Sequence, residues 1–117
     1  MALPKRPTEV GWYAYGPRPG DRGSAVLGGH RDSRRYGTGP LTALEQLRSG
    51  DDIVVVHASG RVRFRVQSVE SIGKRALPVQ EIFDRDGKPM LRIVTCGGAF
   101  VRGKGYTDNV VVTARLR

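Results

Sequence analysis

The alternation Arg61-Val62-Arg63-Phe64-Arg65-Val66 constrains the fold of this chain more than any other feature. A period of two marks a β-strand with one solvated face and one packed face. The strand is predicted from Arg61 to Val69, and an apolar run from Ile53 to His57 precedes it. Ala58-Ser59-Gly60 between the two runs predicts a hairpin. Further strands are predicted over Ser24 to Gly28, Met90 to Cys96 and Asn109 to Leu116, with a turn at Asp86-Gly87. Thr42-Ala43-Leu44-Glu45 has the form of a capping box, so a short helix is predicted there, ending near Ser49-Gly50. Pro78 to Phe83 predicts a second helical turn opened by its proline. The chain is therefore mainly β, with short strands at close spacing, as in a barrel or a sandwich.

A length of 117 residues allows one domain. Such a domain buries roughly two thirds of the surface its unfolded chain exposes, enough for a core without staples. No apolar run reaches the length needed to cross a bilayer. Residues 1–9 read as a linker remnant of a longer protein, and the proline- and glycine-rich segment on to Gly23 reads as an ordered loop whose Trp12, Tyr13 and Tyr15 lie over a core. Twenty basic residues against 11 acidic ones give a net charge of +9, which draws a protein toward polyanions. Arg61, Arg63 and Arg65 are accounted for as the solvated face of one strand, and no nucleic-acid recognition motif accompanies them. Nucleic acid is not expected as a partner.

Cys96 is the only cysteine, so it cannot form an internal disulfide, and with two histidines in the chain it cannot anchor an all-cysteine zinc site. No metal or other cofactor is expected. The thiol is left as core filler, as a link to another chain, or as a nucleophile. Its setting, Thr95-Cys96-Gly97-Gly98, combines a strand end with glycines that leave room for a substrate backbone. His30 closes the early strand at Gly28-Gly29-His30, whereas His57 reads as a surface residue before a turn. Gly97 to Asp108 is expected to be a long loop of functional use. A cysteine and a histidine at adjacent strand ends suit acyl transfer: the thiolate attacks a carbonyl and the imidazolium protonates the leaving amine.

Several segments together resemble the sortase family. These are Gly29-His30-x-Asp32-Ser33, Gly39-Pro40, Leu47-x-x-Gly50-Asp51, Phe64-x-Val66, Thr95-Cys96-Gly97-Gly98-x-Phe100 and Tyr106-x-x-Asn109-Val110-Val111-Val112. Within the family the chain is most similar to the class F sortases of actinobacteria. The resemblance implies a closed eight-stranded β-barrel with one or two short helices, residues 1–117 forming a single catalytic domain. It implies a cysteine transpeptidase that cleaves a Leu-Pro-x-Thr-Gly-like sorting signal of surface proteins. The acyl group passes through a thioester to a cell-wall amine. It also implies a monomer at the outer cell surface, reaching the membrane only through an N-terminal anchor ahead of this chain.

By the same resemblance Cys96 is the nucleophile, His30 the general acid and base, and Thr95 the residue that orients the strand end. Asp32 either orients His30 or caps a turn. Two departures stand out. The family's third catalytic residue is an arginine on the strand after the cysteine, and Asn109 stands at that position here. Arg102 is expected to supply the oxyanion donor instead, with Asn109 orienting substrate or loop. Arg31 follows His30 where a small apolar residue is expected. The missing arginine motivates an alternative, a sortase-fold binding module whose chemistry has decayed.

Overall fold

The computed structural model describes residues 11–13, 15–29, 32–33, 37–38, 44, 46–57, 60–73, 76–101 and 105–117. Eight strands and one helix lie among them: β1 (Gly11–Trp12), β2 (Ser24–Gly28), β3 (Asp32–Ser33), β4 (Gly37–Thr38), β5 (Asp52–His57), β6 (Gly60–Gly73), α1 (Val79–Ile82), β7 (Met90–Val101) and β8 (Gly105–Leu116). Six strands form one curled sheet in the order β1-β2-β7-β8-β6-β5, and β3 pairs with β4 in a separate ribbon. The mainly-β expectation holds. Among the described residues the sheet is a curled half-barrel with β1 and β5 at its edges, and these residues do not show the closed eight-stranded barrel that the resemblance implies.

The alternation that predicts β6 also dictates what lies on each side of the sheet. Phe64 and Val66 enter a core with Ala25, Leu44, Leu91, Ile93, Val112 and Ala114, while Arg61 and Arg63 stay exposed. A bulge between Val66 and Ser68, where β6 pairs with β8, inserts Gln67 and reverses the alternation. Val69 thereby faces the core from an odd-numbered position, and Ile72 joins the opposite layer. There Val26, Val111 and Ile82 form a smaller cluster, with α1 packed on the sheet and Tyr13 and Phe83 edge to face at 5.0 Å.

Four sequence expectations are revised. β1 pairs with β2 inside the segment expected to be loop, and of its aromatics only Tyr13 packs on a core, Trp12 and Tyr15 being 41% and 81% exposed. The polar segment from Arg31 to Pro40 holds the short β3–β4 ladder. At Leu44 a 3-10 turn replaces the expected helix, the Leu47 N–H donating to the Leu44 carbonyl at 3.2 Å, while Thr42 and Glu45 of the capping box lie outside the described residues. The expected long loop after Cys96 is largely hairpin, since β7 and β8 pair as far as Phe100 with Tyr106 and Val101 with Gly105. Asp86-Gly87 lies in a run of bends over 85–89 and not in the predicted turn, and α1 occupies the predicted helical segment.

Gly23 sets the start of β2. Its φ of +89° and an ideal Cβ only 2.4 Å from the Arg85 carbonyl oxygen leave no room for any other residue. The Gly23 N–H donates to the Gly87 carbonyl at 2.7 Å, and the Met90 N–H donates to the Gly23 carbonyl at 3.0 Å. These bonds fix the parallel register of β2 against β7, from Ser24 opposite Met90 to Gly28 opposite Val94. Among the described residues no helix is long and apolar enough to cross a membrane.

Candidate active site

The parallel pair β2 and β7 brings the carboxyl end of β2 beside the middle of β7, joining two segments distant in the chain. Gly28 lies opposite Val94, and the Thr95 hydroxyl donates a buried hydrogen bond of 3.0 Å to the Gly29 carbonyl. Thr95 is 2% exposed, so the bond is sheltered from competing water. Gly29 immediately precedes His30 in the chain, and Thr95 immediately precedes Cys96. The bond therefore ties together the peptide units that lead into both, although they are 66 residues apart in sequence.

On the other side of β7, Cys96 lies opposite Asn109 of β8 in the antiparallel register. Asn109 is half-buried and also faces Ile72 of β6. Its neighbour Asp108 accepts a hydrogen bond of 3.0 Å from the Ser71 hydroxyl, which links β6 to β8 beside this position. The geometry thus brings Thr95, the backbone of Cys96 and Asn109 together in the middle of β7, with Gly29 beside them. Cys96 therefore lies within the strand and not at the strand end expected from the sequence, because pairing with β8 carries β7 on to Val101.

Other expected site residues are reached less fully. His30 and Arg102 lie outside the described residues, as do the side chains of Cys96 and Asp32. Asp32 is placed by its backbone in β3, opposite Thr38. His57 ends β5, on the far edge of the sheet from β2, as expected of a residue before a hairpin turn. Among the described residues no three His, Cys, Asp or Glu side chains converge to hold a metal ion.

Sequence reasoning missed the part played by Gly29 and by Ser71 and Asp108. The Gly28-Gly29 pair was legible only as a strand end. Its parallel pairing with a strand near the other end of the chain leaves no local mark, because parallel partners need no short connection.

A sequence-family model of the sortase domain matches residues 2–117. No curated protein matches the chain in sequence. Among solved structures, the chain is similar to Streptococcus agalactiae sortase C1 in its complex with MTSET, with a TM-score of 0.73 at 20% identity over 92% of this chain and 54% of that one. Sortase A from Corynebacterium diphtheriae gives a TM-score of 0.73 at 16% identity, over 92% of this chain and 47% of that one. Sortase C-1 from Actinomyces oris gives 0.71 at 18% identity, over 92% and 58%. The chain spans about half the length of these structures, and at such identities the likeness bears on the fold.

Proposed function

Since this chain belongs to the sortase family, we propose that it forms the catalytic core of a cysteine transpeptidase acting on a C-terminal sorting signal of the Leu-Pro-x-Thr-Gly kind. The observation that carries the reading is the buried Thr95 to Gly29 hydrogen bond. It joins the residues just before Cys96 and His30, the two positions at which acyl transfer needs a nucleophile and an acid.

In the proposed reaction the Cys96 thiolate attacks the carbonyl carbon of the Thr-Gly bond. The tetrahedral intermediate collapses to a thioester, and the glycine amine leaves with a proton from the His30 imidazolium. A cell-wall amine then attacks the thioester, gives its proton to His30 and releases the thiolate, so one amide bond is broken and one is made. Arg102 is proposed as the oxyanion donor, because a guanidinium keeps its charge and offers several N–H groups. Asn109 orients the strand or the substrate. The register opposite Cys96 favours Asn109 as the second candidate for the donor. Asp32 is proposed to orient His30 or to cap the turn into β3.

The Gly-His-x-Asp-Ser segment supports a class F assignment within the family. The proposed setting is the outer cell surface of an actinobacterium, where the protein anchors surface proteins to the wall as a monomer. A second reading, a decayed binding module, is favoured by Asn109 at the position where the family has its arginine.

Mass spectrometry after incubation with a Leu-Pro-x-Thr-Gly peptide separates the two. A thioacyl adduct on Cys96, discharged by added amine, is the expected result. Peptide binding without an adduct would establish the decayed module instead.

A further inference from the structure

The face of the sheet turned away from the Phe64 core is divided in two. Toward β2 and β7 it is roofed by α1, and Arg92 lies part-buried there, donating to the Thr113 hydroxyl at 2.8 Å and 3.9 Å from Glu81. Toward β5 and β6 none of the described elements packs over it. Val54 and Val56 are 46% and 68% exposed there. In the ladder Val54 faces Arg63 and Val56 faces Arg61. Arg65 lies between Asp52 of β5 and Arg115 of β8, and Arg117 continues the row. Five guanidinium groups and two valines thus share one surface. Among the described residues Asp52 is the carboxylate that pairs with them, 2.6 Å from Arg117 Nη1 and 3.9 Å from Arg65 Nε.

We propose that this face docks peripherally on an anionic phospholipid surface, its arginines on the headgroup phosphates and Val54 and Val56 among the headgroups. Charge supplies the attraction: the chain carries +9, and this face gathers a quarter of its 20 basic residues around one carboxylate. A cation near an anionic leaflet gains about 1 kcal/mol, a fall of about fivefold in affinity when it is removed. Apolarity selects the partner. Two exposed valines set among arginines gain nothing from a dissolved polyanion, whereas a membrane interface accepts apolar side chains alongside basic ones.

The placement also leaves the candidate active site free. Arg115 lies opposite Met90, and Cys96 is six residues further along β7. At about 3.4 Å per residue that is roughly 20 Å along the strand. The proposal does not depend on the chemistry at Cys96.

Sedimentation with vesicles of equimolar phosphatidylglycerol and phosphatidylcholine tests it, with phosphatidylcholine vesicles and soluble inorganic polyphosphate as the other arms. The chain is expected to bind the anionic vesicles, to ignore the neutral ones, and to detach as salt is raised. Combined Arg61→Glu, Arg63→Glu and Arg115→Glu should weaken vesicle binding by on the order of a hundredfold, since about fivefold per arginine compounds over three. Arg22→Glu with Arg85→Glu, at the β2 end of the sheet, should cost far less. Val54→Ser with Val56→Ser should weaken vesicle binding several-fold and leave polyphosphate binding unchanged. All seven arginine and valine side chains changed lie on exposed surface, and circular dichroism verifies that each variant is folded. Failure to bind anionic vesicles would overturn the proposal, as would an equal loss in the Arg22 and Arg85 pair. Indifference of vesicle binding to the valine changes would overturn it too, by reducing the face to a patch for soluble polyanions.

Discussion

The junction of the carboxyl end of β2 with the middle of β7 and the outer edge at β5 belong to one sheet but are held by different forces. At the first, a buried hydroxyl bridges two strands at 3.0 Å, with Val26, Ile93 and Val110 packed nearby and Gly23 fixing the register at the other end. At the second, Asp52 meets Arg117 and Arg65 where all three side chains are 40 to 44% exposed. A buried polar group deprived of its partner loses its full hydration, whereas an exposed ion pair exchanges one well-solvated state for another. The active-site end should therefore be sensitive to single atoms and the edge tolerant of whole side chains. The same contrast explains how an edge rich in arginine can serve contact with a surface without disturbing the strands that position the proposed catalytic residues.

The largest effect expected at the sensitive end is chemical. Cys96→Ala should lower peptide cleavage by at least about a thousandfold, the scale on which a lost nucleophile acts. His30→Ala should do the same, and His57→Ala should not. Rates measured against pH should trace a bell, because one group must be a thiolate and the other an imidazolium. Cleavage by Cys96→Ala above a tenth of the parent rate would remove this residue from the mechanism. Arg102→Ala should cost on the order of a hundredfold in turnover, and Asn109→Ala less than about fivefold. The opposite order in kinetics of the two variants would move the oxyanion donor to β8.

Thr95→Val sharpens the comparison most directly, because it keeps shape and removes one hydroxyl. Urea unfolding should show a loss of about 1–3 kcal/mol, the cost of leaving a buried carbonyl without its partner. Thr95→Ser should recover most of it. A change below about 0.5 kcal/mol would mean that the bond does not hold β2 and β7 together at this point. The smallest effect belongs to the edge: Asp52→Ala should shift stability by less than about 1 kcal/mol in the same measurement. A larger loss there would erase the distinction between the two regions.

Much of this architecture was legible in the chain because it is written locally. The β6 alternation, the antiparallel pairing of β5 with β6 and α1 after Pro78 each rest on neighbouring residues. β1 was not legible, since two residues carry no period and their pairing is supplied by β2. The length of β7 and β8 was misjudged for a similar reason. Glycines at 97, 98, 103 and 105 signal a loop, yet backbone pairing extends a hairpin through Phe100 and Tyr106 regardless of side chain. The candidate site was read through its motifs, and the sequence named Cys96, Thr95 and Asn109 without indicating that Asn109 would face Cys96 across a ladder.

What the sequence determined by itself is therefore the class of the fold and the cast of residues: a mainly-β chain of one family, with one thiol, a histidine two positions beyond an early strand in the chain, and arginines on the solvated face of β6. Periodicity and residue chemistry suffice for these, because both act over a few neighbouring positions. Only the tertiary structure decided which segments meet. The parallel pairing of β2 with β7, the Gln67 bulge that turns Val69 inward, and the gathering of Arg61, Arg63, Arg65, Arg115 and Arg117 on one face all depend on register. Register is set by hydrogen bonds and packing between strands far apart in the chain, and no local pattern encodes it.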